Sequence, residues 1–220
     1  MSNKGNPPLV ISPTAALRGA REYAHSTDIY EWILAGAEKA YGVPCVGAIT
    51  VNFRHVSDRE PVLVFQPLGV QGKTPVDAMA DFQLQVGSHT AVGWIKPSAN
   101  MVTKRKAYDE KNIWDSARHS EQAYELCQDI DAAPIEVVTA LAVLLLNTEK
   151  PPQAGHKWFL GRLQLLRPLE RANTATTRIS IRRALPNGMV RLDVKACGSS
   201  VGMMLFALGK SIIKDVQSDD

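Results

Sequence analysis

Apolar and polar residues alternate with period two over residues 177–182 and again over 190–195, the pattern of two half-buried strands. Between them Leu185-Pro-Asn-Gly188 supplies a turn whose Asn-Gly pair tolerates positive φ, so the two segments read as a hairpin. Either register compatible with Pro186 puts Ile179 and Ile181 on one face with Val190, Leu192 and Val194. The other face then carries Arg178, Ser180, Arg182, Arg191, Asp193 and Lys195, four cations against one carboxylate. Arg183 falls on the apolar face near the turn, where its stem can reach outward. Downstream, Val201, Met204, Leu205, Leu208 and Ile212 follow spacings of three and four. That predicts an amphipathic helix capped by Ser199 or Ser200, with Lys210 and Lys214 near its C-terminal end.

The same two periods organise the rest of the chain. Ser12-Pro13 reads as the cap and first position of a helix running to about residue 25. A second helix starts near Ser26 or Thr27, carries Ile29, Trp32, Ile33, Ala37 and Ala40 on one side, and ends at Gly42 before Pro44. Residues 47–56 alternate, 61–66 form a strand apolar on both faces, and 82–86 with 90–96 form a hairpin around Gly87-Ser-His89. Four strands so close together predict an antiparallel meander rather than a parallel sheet with crossovers. Helices are predicted over about 112–128 and 133–146, the latter apolar nearly all round and therefore the central buried helix. Residues 155–167 read as a short helix.

The fold class that results is α+β. It has a mostly antiparallel sheet, an N-terminal helix pair, a buried central helix layer and a C-terminal β-hairpin plus helix. Residues 1–11 read as a flexible arm, 12–214 as a single domain with a hinge near 150–155, and 215–220 as an acidic tail.

Composition fits this picture: 45% apolar and 21% charged residues belong to a globular chain. Cys45, Cys127 and Cys197 are far apart and form no CxxC, so they read as buried or free thiols in a reducing compartment. Residues 1–8 are polar and give no secretory signal. The longest apolar run, 137–146, is well short of the roughly 20 residues a bilayer span needs. A soluble cytoplasmic protein is expected.

Charge changes the emphasis. The net value is only +3, but residues 151–220 hold 11 Lys+Arg against five Asp+Glu, whereas 111–150 hold three against seven. Such polarity points to an acidic partner, or to contact between copies of the chain. The basic cluster Lys104-Arg-Lys106 reads as a solvated loop.

Catalytic motifs fail on inspection. Gly198-Ser-Ser-Val-Gly202 satisfies the nucleophile-elbow pattern, but no histidine follows Ser200 in the chain. Gly72-Lys73-Thr74 ends like a phosphate-binding loop, yet Pro67 stands where that loop requires glycine. The five histidines show no metal-ligand spacing, and Asp129 and Asp131 read as helix caps. Trp114 and Tyr124 read as core or interface anchors, and no cofactor is expected. The hairpin's polar face carries no Phe or Tyr on which a base could stack, so nucleic acid would be held through phosphates alone.

The leading expectation is therefore a non-enzymatic structural or assembly protein, of a viral or phage type. It would bind a polyanion, either nucleic acid or an anionic membrane surface, and self-associate. Arg178, Arg182, Arg191 and Lys195 would carry the contact, helped by Arg162, Arg167 and Lys210. The alternatives are a small enzyme with a pocket of dispersed residues around His89 or His156 and the Ser199-Ser200 loop, or an interaction module for an acidic protein.

Overall fold

The computed structural model describes residues 8–70 and 72–210. In chain order the strands are β1 (Leu9–Ile11), β2 (Leu17–Arg18), β3 (Ile49–Phe53), β4 (Arg59–Phe65), β5 (Ala80–Val86), β6 (His89–Met101) and β7 (Arg105–Lys106). They continue with β8 (Ala117–Ser120), β9 (Ala123–Leu126), β10 (His156–Leu165), β11 (Arg178–Ala184), β12 (Met189–Ala196) and β13 (Ser199–Lys210). The α-helices are α1 (Ser26–Tyr41), α2 (Lys111–Asp115) and α3 (Pro134–Glu149), and a 3-10 helix spans Arg171–Thr176.

Eleven strands form one antiparallel sheet in the order β1-β4-β6-β5-β3-β10-β13-β12-β11-β9-β8, while β2 and β7 make a separate parallel pair. The order divides at β3–β10 into two halves of like plan. Each has an outer strand or hairpin, a long helix, and then four strands, the first of which returns to the centre. The halves differ in detail, since β3 neighbours β5 whereas β10 neighbours β13.

Each helix is where it is because its apolar stripe needs the sheet. In α1, Ile29, Ile33 and Ala37 recur every fourth residue and are all buried. Gly36 lets this helix settle onto β4, because a Cβ there would stand 2.7 Å from the Phe65 ring. Gly42, at φ 72°, ends α1 in the left-handed conformation and returns its N–H to the Glu38 carbonyl at 2.8 Å. The second long helix, α3, opens with proline and is buried nearly all round, as its composition predicts. Burying each of its leucines and valines stabilises the fold by roughly 1.5–3 kcal/mol.

The hairpin of β11 and β12 forms with Ile179 opposite Val194 and Ile181 opposite Leu192. Several other expectations are corrected. Residues 12–25 are not helical: Leu17 and Arg18 are buried in the short pair with β7. The first four long strands are not a meander, because β5 and β6 lie between β3 and β4. The segment expected as a helix over 112–128 is one helical turn followed by a hairpin, reversed at Glu121 and Gln122 with φ of 32° and 56°.

Residues 155–167 and the described part of 199–214 are strands, not helices, and both carry register shifts. Between Leu160 and Arg162 the pairing of β10 slips, and between Val194 and Lys195 that of β12 with β13 does. An extra residue in a strand turns a spacing of two into a spacing of three. Thus Leu160 and Leu163, and likewise Val201 and Met204, are buried three apart and imitate a helix. The expected acidic tail, Ile212 and Lys214 lie outside the described residues, as does most of the expected arm, while Leu9–Ile11 pairs with β4. No described helix is long and apolar enough to cross a membrane.

Candidate active site

The two halves are stitched together by β3 and β10 over a short seam, Ile49 to Asn52 against Leu165 to Arg162. Past that seam the strands contribute Phe53–Val56 and Lys157–Gly161 to the lining of a cleft of about 970 Å³. The divergence coincides with the slip in β10 at Gly161. The segment leading into α1 completes the lining, together with Glu110, one face of α3 (Thr139, Val143, Asn147) and the end of β13. The cleft therefore lies where both halves meet, with a long helix from each contributing to it.

His25 occupies the N-cap position of α1, with its backbone extended (φ −78°, ψ 146°). Its side chain is buried, and Nδ1 lies 2.8 Å from the Thr27 hydroxyl. Burial, then the positive charges of Arg21, Arg18 and Lys106, outweigh Asp28 and push its pKa down to about 3. The ring is thus neutral throughout the physiological range. It packs 5.3 Å from the ring of Tyr108.

The surrounding charges are fixed in pairs. Arg18, 2% exposed, donates Nη2 and Nε to the two oxygens of Asp28 at 2.6 and 2.9 Å and reaches Glu136 on α3 through Nη1. Lys106 adds a third donor to Asp28 at 2.7 Å. For Asp28, burial would raise the carboxyl, but these donors hold it below the ordinary range. Arg21 donates to Glu110 Oε2 at 3.1 Å, and both Arg18 and Arg21 lie 4.8 Å from the centre of the Tyr108 ring. Burial and the nearby Glu110 push the Tyr108 hydroxyl upward.

Three buried polar atoms of this region lack a well-formed hydrogen bond among the described residues: the Thr139 hydroxyl, Glu110 Oε1 and the Tyr108 hydroxyl, the last two close enough to interact with each other. Native proteins rarely leave such groups unsatisfied away from a site of action. Together with neutral His25, Glu110 and Thr139 give the cleft a carboxylate acceptor, a hydroxyl and an imidazole.

The residues singled out from sequence are dispersed. Arg178 lies 3.6 Å from Glu125, and Arg182 and Arg191 lie 3.8 and 4.0 Å from Asp193, so these cations already face carboxylates of their own chain. Lys195 is exposed opposite Arg178, Arg162 is half-buried beside Asn52, and Arg167 lines a separate small crevice. Lys210 alone of that set lines the main cleft. Ser199 and Ser200 open β13 on the exposed side of a tight turn, and His89 is exposed at the β5–β6 turn. His156 lies at the start of β10, its Nδ1 3.3 Å from the Ala154 carbonyl, and none of these four residues lines the cleft.

Neither a family model nor a curated protein sequence matches the chain. Solved structures do. A tesB protein of Mycobacterium avium subsp. paratuberculosis superposes with a TM-score of 0.50 at 9% identity, covering 96% of this chain and 95% of the other. The dehydratase domain of MlnD from Bacillus amyloliquefaciens gives 0.41 at 12% identity over 96% and 91%. An acyl-ACP thioesterase from Bacteroides thetaiotaomicron gives 0.45 at 9% identity over 92% and 98%. The fold is α+β and hotdog-like.

This overturns the expectation of a non-enzymatic structural or viral assembly protein. The layout is one this chain shares with the tesB protein, and Arg178, Arg182 and Arg191, on which that expectation rested, stand beside carboxylates of their own chain. Of the alternatives, the enzyme with a pocket of dispersed residues is the better supported, although its pocket is not built on His89, His156 or the serine loop.

Proposed function

We propose that this chain is a hotdog-type hydrolase of acyl thioesters, with the cleft between its halves as the active site. The observation that carries this reading is that neutral His25 and Glu110 line the same large, mostly apolar cavity. Apolar side chains such as Ile29, Phe53, Val143 and Phe206 suit an acyl chain. Glu110, held through Oε2 by Arg21, accepts a proton from water as it attacks the thioester carbonyl. His25 orients that water through Nε2, its ring held in place by the contact between Nδ1 and the Thr27 hydroxyl. The Thr139 hydroxyl supplies a donor from α3 for the oxyanion that develops; collapse of that intermediate breaks the C–S bond, and the Glu110 carboxyl returns its proton to the departing thiolate.

The test is release of free thiol from a panel of acyl thioesters of increasing chain length, followed with a thiol reagent. Wild-type protein should turn over at least one length class, and Glu110→Gln and His25→Gln should each lower kcat at least a hundredfold while remaining folded. Absence of thiol release across the panel would reject the assignment.

A further inference from the structure

Lys157 stands out among the cations of the cleft. Arg21 is committed to Glu110 and Arg54 to Asp81, but Lys157 forms no ion pair among the described residues. Its stem is nevertheless held in place. The ammonium donates to the Tyr23 hydroxyl at 3.0 Å and lies 4.6 and 5.0 Å from the ring centres of Tyr23 and Phe159. Tyr23 reaches it from the segment before α1, so two distant stretches of chain cooperate to fix one charge. An ammonium has three donors, and only one is used. Lys210 lies on the neighbouring strand opposite His156 and also lines the cleft, but strand alternation gives it the face of His156, leaving Gly209 opposite Lys157.

We infer that Lys157 is the anion-recognition point of the cleft, and that its ligand carries a carboxylate or phosphate at the end held there. A half-buried ammonium ordered by aromatic faces and lacking a carboxylate loses hydration without gaining a counter-ion from the protein. A ligand anion restores that balance. This deepens the thioester reading, on which it rests for the kind of ligand. The anion belongs either to the acyl group itself or to a phosphate-bearing carrier attached through sulfur.

The experiment measures binding rather than turnover, by calorimetry on the full chain. Three non-hydrolysable thioethers serve as probes: S-hexyl-N-acetylcysteamine, its ω-carboxyhexyl counterpart, and S-hexyl coenzyme A. Lys157→Gln should weaken at least one of the two anionic probes tenfold or more, leaving the neutral probe within twofold, and Lys157→Arg should restore most of the loss. Loss confined to the carboxylated probe assigns the anion to the acyl group, and loss confined to the coenzyme A thioether assigns it to the carrier.

Equal binding of all probes by wild type and Lys157→Gln would overturn the inference, as would equal weakening of the neutral probe, or no binding of an anionic probe to wild type. Tyr23→Phe, which removes the acceptor but keeps the ring, should produce a smaller loss of the same pattern and guards against misfolding of the first variant. A chain that binds anionic probes through Lys157 but releases no thiol from thioesters would retain this inference and lose the hydrolase reading.

Discussion

Arg18 and Asp28 face each other through two parallel hydrogen bonds, 2.6 and 2.9 Å long, with side chains only 2% and 4% exposed. The same guanidinium reaches Glu136 on the other long helix, so one cation ties the head of α1 to the head of α3. Removing one member of a buried pair leaves an uncompensated charge, at a cost of about 3–5 kcal/mol. Arg18→Met should lower stability by that order in urea denaturation. The triple variant with Asp28→Asn and Glu136→Gln should recover part of the loss, because no bare carboxylate then remains inside.

Acid should act on the fold through two groups. Asp28 has a folded pKa below its unfolded value, so its contribution is complete above the unfolded value near 4 and is lost as pH falls through the folded one. His25 is held to about 3 against roughly 6.5 when unfolded. Between those values the unfolded chain binds the extra proton, so stability falls as pH is lowered from about 6.5 toward 3. Urea midpoints at pH 7.5, 6, 5 and 4 should decline steadily, by up to about 1.4 kcal/mol per unit from His25. His25→Gln should remove that slope between pH 6.5 and 5.

The rate profile should differ from that of an ordinary histidine enzyme. Because His25 is neutral far below pH 6, kcat/KM for thioester hydrolysis should show no ionisation between pH 6 and 7. A clear break there, with a slope of one that disappears in His25→Gln, would contradict the neutral assignment.

Thr139 gives a prediction in which stability and activity part. Its hydroxyl is buried without a partner among the described residues, and an unsatisfied group of this kind costs about 1–3 kcal/mol. Thr139→Val should therefore leave thermal stability unchanged or raise it, while thioester turnover drops at least tenfold. A parallel loss of both would mark the residue as structural.

Gly36 tests how closely α1 lies on the sheet. A Cβ added there would stand 2.7 and 2.8 Å from two carbons of the Phe65 ring. Gly36→Ala should cost about 1–3 kcal/mol through overpacking, and Phe65→Leu in the same chain should return much of it.

The strands with one buried face, the buried helix and the β11–β12 hairpin were legible, because periods of two and 3.6 survive through their buried parts; the slip in β11 comes only after Ile181, toward the turn. The bulged strands were not. Leu160 and Leu163 look helical until the extra Gly161 between them is seen, and Val201 and Met204 until Val201 is itself recognised as the extra residue of β13. Where a helix was expected over 12–25, Arg18 is instead drawn inward by Asp28 and Glu136, partners at separations of 10 and 118 residues that no local pattern announces. The site was hidden for the same reason. His25, Glu110, Thr139 and Lys157 share no local motif, and tertiary folding alone brings them to one cleft. The only sequence signal near it was the helix start at Ser26-Thr27-Asp28, which His25 immediately precedes. The hairpin arginines drew attention by their number, whereas the carboxylates that answer them are partly supplied by Glu125 on β9, a segment expected to be helical.

Gly161 sits where β10 stops zipping to β3 and begins to wall a cavity. Deleting that one residue would remove the slip, and a strand advanced by one position turns every preceding side chain over. Lys157 and Phe159 would exchange sides with Trp158 and Leu160, carrying the ammonium away from Tyr23. The room for a ligand and the charge that greets it thus depend on a single supernumerary amino acid, one with no side chain of its own.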